Sequence, residues 1–238
     1  MAIRPKTIVI IPTYNERENI EALTQQVLSL GEELHILIID DNSPDGTGEI
    51  GSRLTANHPQ VHIIHRETKL GLGTAYIEGF RFALKNGFQY IVTMDADFSH
   101  DPEHLPQILN GLERYHVVIG SRYIPGGRTV NWDLIRRLIS KGGNIVARYV
   151  VRLQSHDCTS GYRGYQRKVL EKIDIGSIKS SGYSFLVEML FLCQQNGLLI
   201  TETPIVFVDR KYGYSKISKA EIYKAFFTLL RLFFLAFR

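Results

Sequence analysis

Cysteine is scarce in this chain: Cys158 and Cys193 are the only two, with no CxxC and no paired histidine. That excludes a disulfide framework and a zinc site of the usual spacing. Two reduced thiols in a cytoplasmic protein are the plain reading. No uninterrupted apolar run reaches the roughly 18 residues that a membrane span needs. Met1-Ala2-Ile3-Arg4-Pro5-Lys6 leads straight into a strand, with no secretory signal. Repeats, low-complexity segments and linkers are also missing. Charge of one sign is not in excess beyond a net +4. That suits phosphate-bearing ligands or an anionic membrane surface but gives no nucleic-acid-binding module. What remains is an ordinary globular composition, 44% apolar and 22% charged over 238 residues. It is enough for one substantial α/β core.

Apolar strands alternate with helical segments over residues 1–121. Thr7–Ile11 is a buried strand ended by Pro12. Asn15 is expected to cap the next helix, with Glu18 in capping-box spacing, and that helix runs to about Leu30. Further strands are expected at Leu34–Ile39, Val61–His65, Tyr90–Met94 and Val117–Gly120. Helices are expected from the Ser43-Pro44-Asp45-Gly46 turn to Asn57, and from Gly71-Leu72-Gly73 to Gly87. Such alternation means right-handed crossovers and a mostly parallel sheet. The second part is less regular: helices near 133–152 and 184–196, and strands near 161–165 and 199–208.

Asp95-Ala96-Asp97 follows the apolar run Tyr90–Met94. Strand alternation would put both carboxylates on one side, at the sheet edge where α/β proteins bind ligands. Two such charges about 5 Å apart repel by roughly 3 kcal/mol at an effective dielectric of 20. A divalent cation gripping a ligand's phosphates would offset this. Two more acid-bearing loops should meet the pair. In Pro12-Thr13-Tyr14-Asn15-Glu16, Tyr14 offers a ring for a base and Glu16 an acceptor for ribose. Asp40-Asp41-Asn42-Ser43 offers a further carboxylate. Gly71 and Gly73 do not complete a dinucleotide fingerprint: they follow the third strand, and Tyr76 holds the place of the third glycine.

A basic set balances the acids. Arg122 follows the fifth strand, and Arg136 and Ser140 share a helix face. Arg210, Lys211 and Lys216 lie in a glycine-containing loop. Guanidinium and ammonium groups in this arrangement suit a phosphate monoester.

Together with Gly120-Ser121-Arg122-Tyr123, Thr159-Ser160-Gly161-Tyr162-Arg163 and Gly213-Tyr214-Ser215-Lys216, these segments resemble the GT-A glycosyltransferases of family 2. They are similar in particular to the polyprenol-phosphate mannosyltransferases of the dolichol-phosphate mannose synthase type. The resemblance implies a Rossmann-like GT-A domain over 1–217 and a GDP-mannose donor. It also implies Mg²⁺ or Mn²⁺ and a polyprenyl (dolichyl) monophosphate acceptor. It assigns nucleotide-sugar contacts to Pro12, Tyr14, Glu16, Ile39, Asp41 and Asp95, and metal to Asp95 and Asp97. Ser99 stands where some relatives carry a glutamine that reaches the metal, and is shorter. Acceptor phosphate falls to Arg122, Arg136, Ser140, Arg210 and Lys216, and catalysis to Asp95, Asp97 and Arg122.

The implied reaction inverts the anomeric carbon through an oxocarbenium-like state. A phosphate monoester is already anionic at neutral pH, so it needs little base. His100 reads as loop packing rather than as that base. Residues 218–238 are expected to form an amphipathic helix with Lys216, Lys219, Lys224, Arg231 and Arg238 around its apolar run. Such a helix fits a membrane interface, or docking on the domain or on a membrane-spanning partner subunit. The expected location is the cytoplasmic face of a membrane. Two other readings remain: a sugar transferase using a UDP-sugar, such as a polyprenyl-phosphate glucosyltransferase, and a non-catalytic nucleotide-sugar-binding subunit.

Overall fold

The computed structural model describes residues 5–209 and 219–236. β1 (Thr7–Thr13), α1 (Ile20–Ser29), β2 (Leu34–Asp40), α2 (Thr47–Asn57), β3 (Val61–His65), α3 (Leu72–Lys85) and β4 (Tyr90–Thr93) alternate as expected. Then come α4 (Leu105–Leu112), β5 (Val117–Ser121), β6 (Arg128–Val130), α5 (Leu134–Val151), β7 (Arg163–Gln166) and α6 (Arg167–Lys172). α7 (Tyr183–Gln195), β8 (Ile200–Pro204), β9 (Val206–Val208) and α8 (Lys219–Ala236) complete the order. Seven strands form one sheet in the order β3-β2-β1-β4-β7-β5-β8. All its pairings are parallel except those of β7, which runs against both β4 and β5.

The β1 side chains explain the layering. Successive residues point to opposite faces. Ile8 and Ile10 enter one apolar core with Tyr76, Phe80 and Phe185 of α3 and α7. Val9 and Ile11 enter the other with Ile20, Leu23 and Leu105 of α1 and α4. All four β1 side chains are fully buried. Each stabilises the fold by about 1.5–3 kcal/mol, which is why the run shows no polar alternation. Both cysteines are buried, and burial pushes their thiols up to about 12, so they are inert.

Two expectations are corrected. Asn15 does not cap α1: it sits in the left-handed region at φ +62°, and the cap position is Asn19. Contacts between loops override the capping box. The Asn15 N–H donates to Ser43 Oγ at 3.0 Å, and the Glu16 N–H to Thr47 Oγ1 at 2.9 Å. The expected strand at 199–208 is two strands, broken at Pro204–Ile205; β8 pairs with β5 and β9 with β6. β6, only three residues long, had no sequence signal of its own.

A histidine pair sits at the opposite end of the sheet from the loops of interest. His35 of β2 and His62 of β3 stack with rings 5.5 Å apart, and their Nδ1 and Nε2 atoms are 3.2 Å apart. Phe88 and Phe82 pack around them. Burial first, then Lys6, lowers the pKa of both from the ordinary 6.5. Such groups favour folding when neutral, so stability is complete above the unfolded value and is lost as pH falls below about 6.5. Tm is expected to drop between pH 7.5 and 5.5. The double substitution His35→Gln/His62→Gln should make that drop shallower; an unchanged profile would refute the role of the pair.

Candidate active site

The sheet order reverses at β1, with β2 on one side and β4 on the other. Loops leaving β1 and β4 must therefore diverge and open a crevice at the carboxyl edge. β7 is antiparallel, so the segment entering it, residues 157–162, reaches that same edge. One pocket of about 530 Å³ results. It gathers Pro12 at the end of β1 and Glu16 after it, Asp95, Asp97 and Ser99 after β4, and Arg122 after β5. Arg136 and Ser140 come from α5, and Thr159, Ser160 and Gly161 from the segment before β7.

The two acids converge, but not through strand alternation, because β4 ends at Thr93. The loop is shaped by its own bonds. Phe98 turns at φ +59°, and the Ser99 N–H donates to Asp97 Oδ1 at 3.1 Å. The Asp95 N–H donates to His100 Nδ1 at 3.0 Å. An accepting Nδ1 places the His100 proton on Nε2. Burial lowers the His100 pKa against the pull of Asp95 and Asp97, so the ring is neutral. The 3.7 Å approach of Asp95 Oδ2 to Nδ1 is therefore not an ion pair. His100 stacks on Tyr162 and meets the edge of Phe207, which makes it the packed support of the acid loop. Gly161 lets the facing chain come close: a Cβ there would lie 3.3 Å from Asp95 Oδ1.

The pocket wall carries unused polar atoms. Ser99 Oγ, Ser160 Oγ, Ser184 Oγ and Trp132 Nε1 are buried with no hydrogen bond among the described residues, and all four residues line the pocket. Each such atom costs about 1–3 kcal/mol unless a partner arrives. A polar ligand would relieve that cost. The oxygens of Asp95, Asp97 and Ser99 are hard donors of the kind Mg²⁺ and Mn²⁺ take. Among the described residues no cluster of three acidic, histidine or cysteine side chains is present. A cation here would complete its shell with phosphate oxygens of a bound ligand, as nucleotide-site Mg²⁺ commonly does.

The basic side is more tightly held than the sequence implies. Arg122 is buried and forms a fork on Asp157, with Nε to Oδ2 and Nη2 to Oδ1 both at 2.7 Å. The Arg122 backbone N–H adds a third bond to Asp157 Oδ2 at 3.0 Å. Burial resists ionisation of Asp157, but the charge and hydrogen bonds of Arg122 outweigh it and hold the carboxyl below the usual range. Arg136 pairs with Asp209 at 2.7 Å and lies 4.3 Å from the Trp132 ring centroid. Ser140 Oγ accepts from the Tyr123 hydroxyl at 2.7 Å. Arg210 and Lys216 lie outside the described residues.

Three expected nucleotide contacts do not line the pocket. The Ile39 side chain is fully buried in the core. Asp41 is engaged on both oxygens, by Arg66 and by the Gly71 N–H at 2.8 Å. Tyr14 is exposed, with Lys69 Nζ 3.4 Å from its ring centroid.

The family model described as glycosyl transferase family 2 matches residues 8–174, most of the chain. The chain belongs to glycosyl transferase family 2. Among curated relatives of this glycosyltransferase is the polyprenol monophosphomannose synthase of Mycolicibacterium smegmatis. It is 44% identical over 229 residues, covering 94% of this chain and 86% of the relative. The undecaprenyl-phosphate mannosyltransferase of Micrococcus luteus is 45% identical over 213 residues, covering 90% and 88%. Among solved structures, glucosyl-3-phosphoglycerate synthase from Mycobacterium tuberculosis in complex with Mn²⁺ and UDP superposes with a TM-score of 0.69. It is 18% identical and covers 96% of this chain and 80% of that one, a likeness that shows the shared GT-A fold.

Sequence reasoning missed several residues that hold the candidate site in place. Asp157 sits in a loop without a motif, far in sequence from Arg122. Arg66 follows β3 as one ordinary basic residue, yet it bonds Asp41 and Thr74 Oγ1. Arg163 is fully buried, and its guanidinium donates to the carbonyls of Ser160, Leu186 and Cys158, each at 2.7 Å. It thereby fixes the pocket wall to α7. Its place in the Thr159–Arg163 segment and its charge inside an expected strand were the signals that could have exposed it.

Proposed function

We propose that the protein moves mannose from GDP-mannose to a polyprenyl monophosphate, with inversion at the anomeric carbon, releasing GDP. One observation carries this reading: a single pocket brings together paired carboxylates, guanidinium groups and an apolar continuation. That continuation runs past Leu186, Val187, Phe226 and Leu229, between α5, α7 and α8. The names of the two mannosyltransferase relatives agree with it.

Asp95 and Asp97, with Ser99 beside them, would hold Mg²⁺ or Mn²⁺ against the donor diphosphate. Such a cation supplies Lewis-acid stabilisation of the leaving group. Pro12 and Glu16 border the donor end. Tyr14 and Asp41 lie on neighbouring loops at the same sheet edge, the place for the nucleoside. Arg122, Arg136 and Ser140, with Arg210 and Lys216, would receive the acceptor phosphate. A phosphate oxygen forms the new bond to the anomeric carbon as the bond to the diphosphate breaks. The nucleophile is already anionic, so no general base is required. A neutral His100 whose Nδ1 is already occupied agrees with that.

The test is transfer of labelled mannose from GDP-mannose to polyprenyl phosphate with Mn²⁺ in detergent. A lipid-extractable labelled product is expected. Product from UDP-glucose instead would replace the donor, and no product from any donor would favour the binding-subunit reading.

Access to such an acceptor requires a lipid surface, and the outer faces of α5 and α8 suit one. Among the described residues, no helix is long and apolar enough to cross a membrane. Yet Leu134, Ile135 and Leu138 on α5, and Phe227, Phe233 and Phe234 on α8, are exposed. Two packed helices showing this much apolar surface favour peripheral association with a bilayer. Phe227→Asp/Phe234→Asp is expected to abolish co-flotation with vesicles of mixed neutral and anionic lipid while leaving Tm unchanged. Full flotation would reject the surface.

A further inference from the structure

Along α5 the pocket-lining residues follow one stripe: Arg136, Ile139, Ser140, Gly143, Val146 and Ala147. The three- and four-residue spacing makes them neighbours on a single helix face. The stripe changes character along its length. Its first turn carries the groups suited to phosphate, and everything from Gly143 onward is apolar or absent. Gly143 lies three residues past Ser140, about 4.5 Å along the axis. Phe226 and Leu229 of α8 line the same pocket. α8 is fixed there by Arg231, which pairs with the buried Glu188 of α7 and donates to Ser180 Oγ at 2.9 Å. The apolar stretch therefore has two fixed walls.

Gly143 differs from the packing glycines of this chain. A Cβ built on Gly51, Gly79, Gly111 or Gly164 would meet a neighbouring side chain within 2.4–2.8 Å. On Gly143 it would meet no described residue within 4 Å. A glycine inside a helix costs about 1 kcal/mol relative to alanine. Among the described residues no neighbour requires that cost here, and Gly143 is exposed where it lines the pocket. Gly142 is equally open but does not line the pocket, so it serves as an internal control.

We propose that Gly143 provides the clearance for the phosphate-proximal isoprenoid unit of the acceptor as it passes between α5 and α8. It thereby determines how much bulk the enzyme accepts next to the phosphate. This rests on the reading that the acceptor is a polyprenyl phosphate. A tail that leaves its phosphate at Arg136 and Ser140 meets Gly143 next. A side chain at that position would narrow the passage without touching the acids or the guanidinium groups.

The experiment compares the intact wild-type enzyme with Gly143→Leu, Gly143→Ala and Gly142→Leu. It measures KM for polyprenyl phosphate, the thermal shift given by GDP with Mn²⁺, and Tm. Gly143→Leu is expected to raise the acceptor KM at least tenfold with the GDP shift unchanged, while Gly142→Leu leaves both near wild type. Gly143→Ala should raise Tm, through helix propensity, and raise KM by a smaller factor. An unchanged KM in Gly143→Leu, or an equal rise in Gly142→Leu, overturns the proposal. If Gly143→Leu lowers Tm or the GDP shift, Gly143→Ala decides: a higher KM at equal or higher Tm supports the clearance, and an unchanged KM overturns it. Wild-type enzyme that transfers nothing to polyprenyl phosphate would instead refute the underlying function, so the two failures are distinct.

Discussion

Asp97→Asn is expected to reduce mannosyl transfer by roughly 10³-fold, equivalent to about 4 kcal/mol of lost leaving-group stabilisation. The substitution keeps the shape of the side chain and removes its charge. Asp97 is nearly buried, and its Oδ1 is oriented by the Ser99 N–H at 3.1 Å. It is therefore preorganised rather than a solvated loop acid. Tm of the metal-free protein should stay at or above the wild-type value, because one of two neighbouring like charges is gone. Activity that survives both Asp97→Asn and a chelator would remove the metal from the reading altogether. Activity lost in Asp97→Asn together with a fall in Tm would reassign Asp97 to folding. The two results are told apart by measuring Tm and rate on the same preparation.

Asp157→Ala is expected to be the most damaging single change outside the acid pair. It leaves the Arg122 guanidinium buried with no carboxylate, since Asp157 supplies both forked contacts at 2.7 Å. Breaking one half of a buried ion pair costs about 3–5 kcal/mol. For a chain of this length that lowers Tm by roughly 6–20 °C. Replacing both partners by apolar residues is often neutral. The double variant Arg122→Met/Asp157→Leu should therefore recover most of the lost Tm yet remain unable to transfer to lipid phosphate. Recovery of transfer along with Tm would show that Arg122 is only a structural partner of Asp157. The pair also has a pH signature. The Asp157 pKa is held below the ordinary 3.8. Its contribution is present above that value and is lost as pH falls through the lower folded one. It does not overlap the window assigned to His35 and His62.

Much of the candidate site was legible because its residues lie at strand ends, and strand ends are marked by where apolar runs stop. Pro12, Glu16, Asp95, Asp97 and Arg122 each follow such a run, and all five line the pocket. The residues that could not be read are those whose meaning is a partner distant in sequence. Arg122 looked like a free cation, and only the antiparallel entry into β7 brings Asp157 under it. Asp41 looked like an open acceptor, and the turn from β3 into α3 brings Arg66 and Gly71 to both its oxygens.

The chain by itself determined the alternation of strands and helices, the two-faced burial of β1 and the pairing of acids with bases. Each of these is a local pattern, set by apolar periodicity and by the types of residue at the breaks. Tertiary structure alone decided the strand order that opens the crevice between β1 and β4. It also decided which charges are already neutralised, and it set α8 against α5 to build the apolar end of the pocket. Those outcomes depend on contacts between segments dozens of residues apart. No periodicity encodes them, because a side chain's neighbours across a sheet or between helices are fixed only when the layers pack.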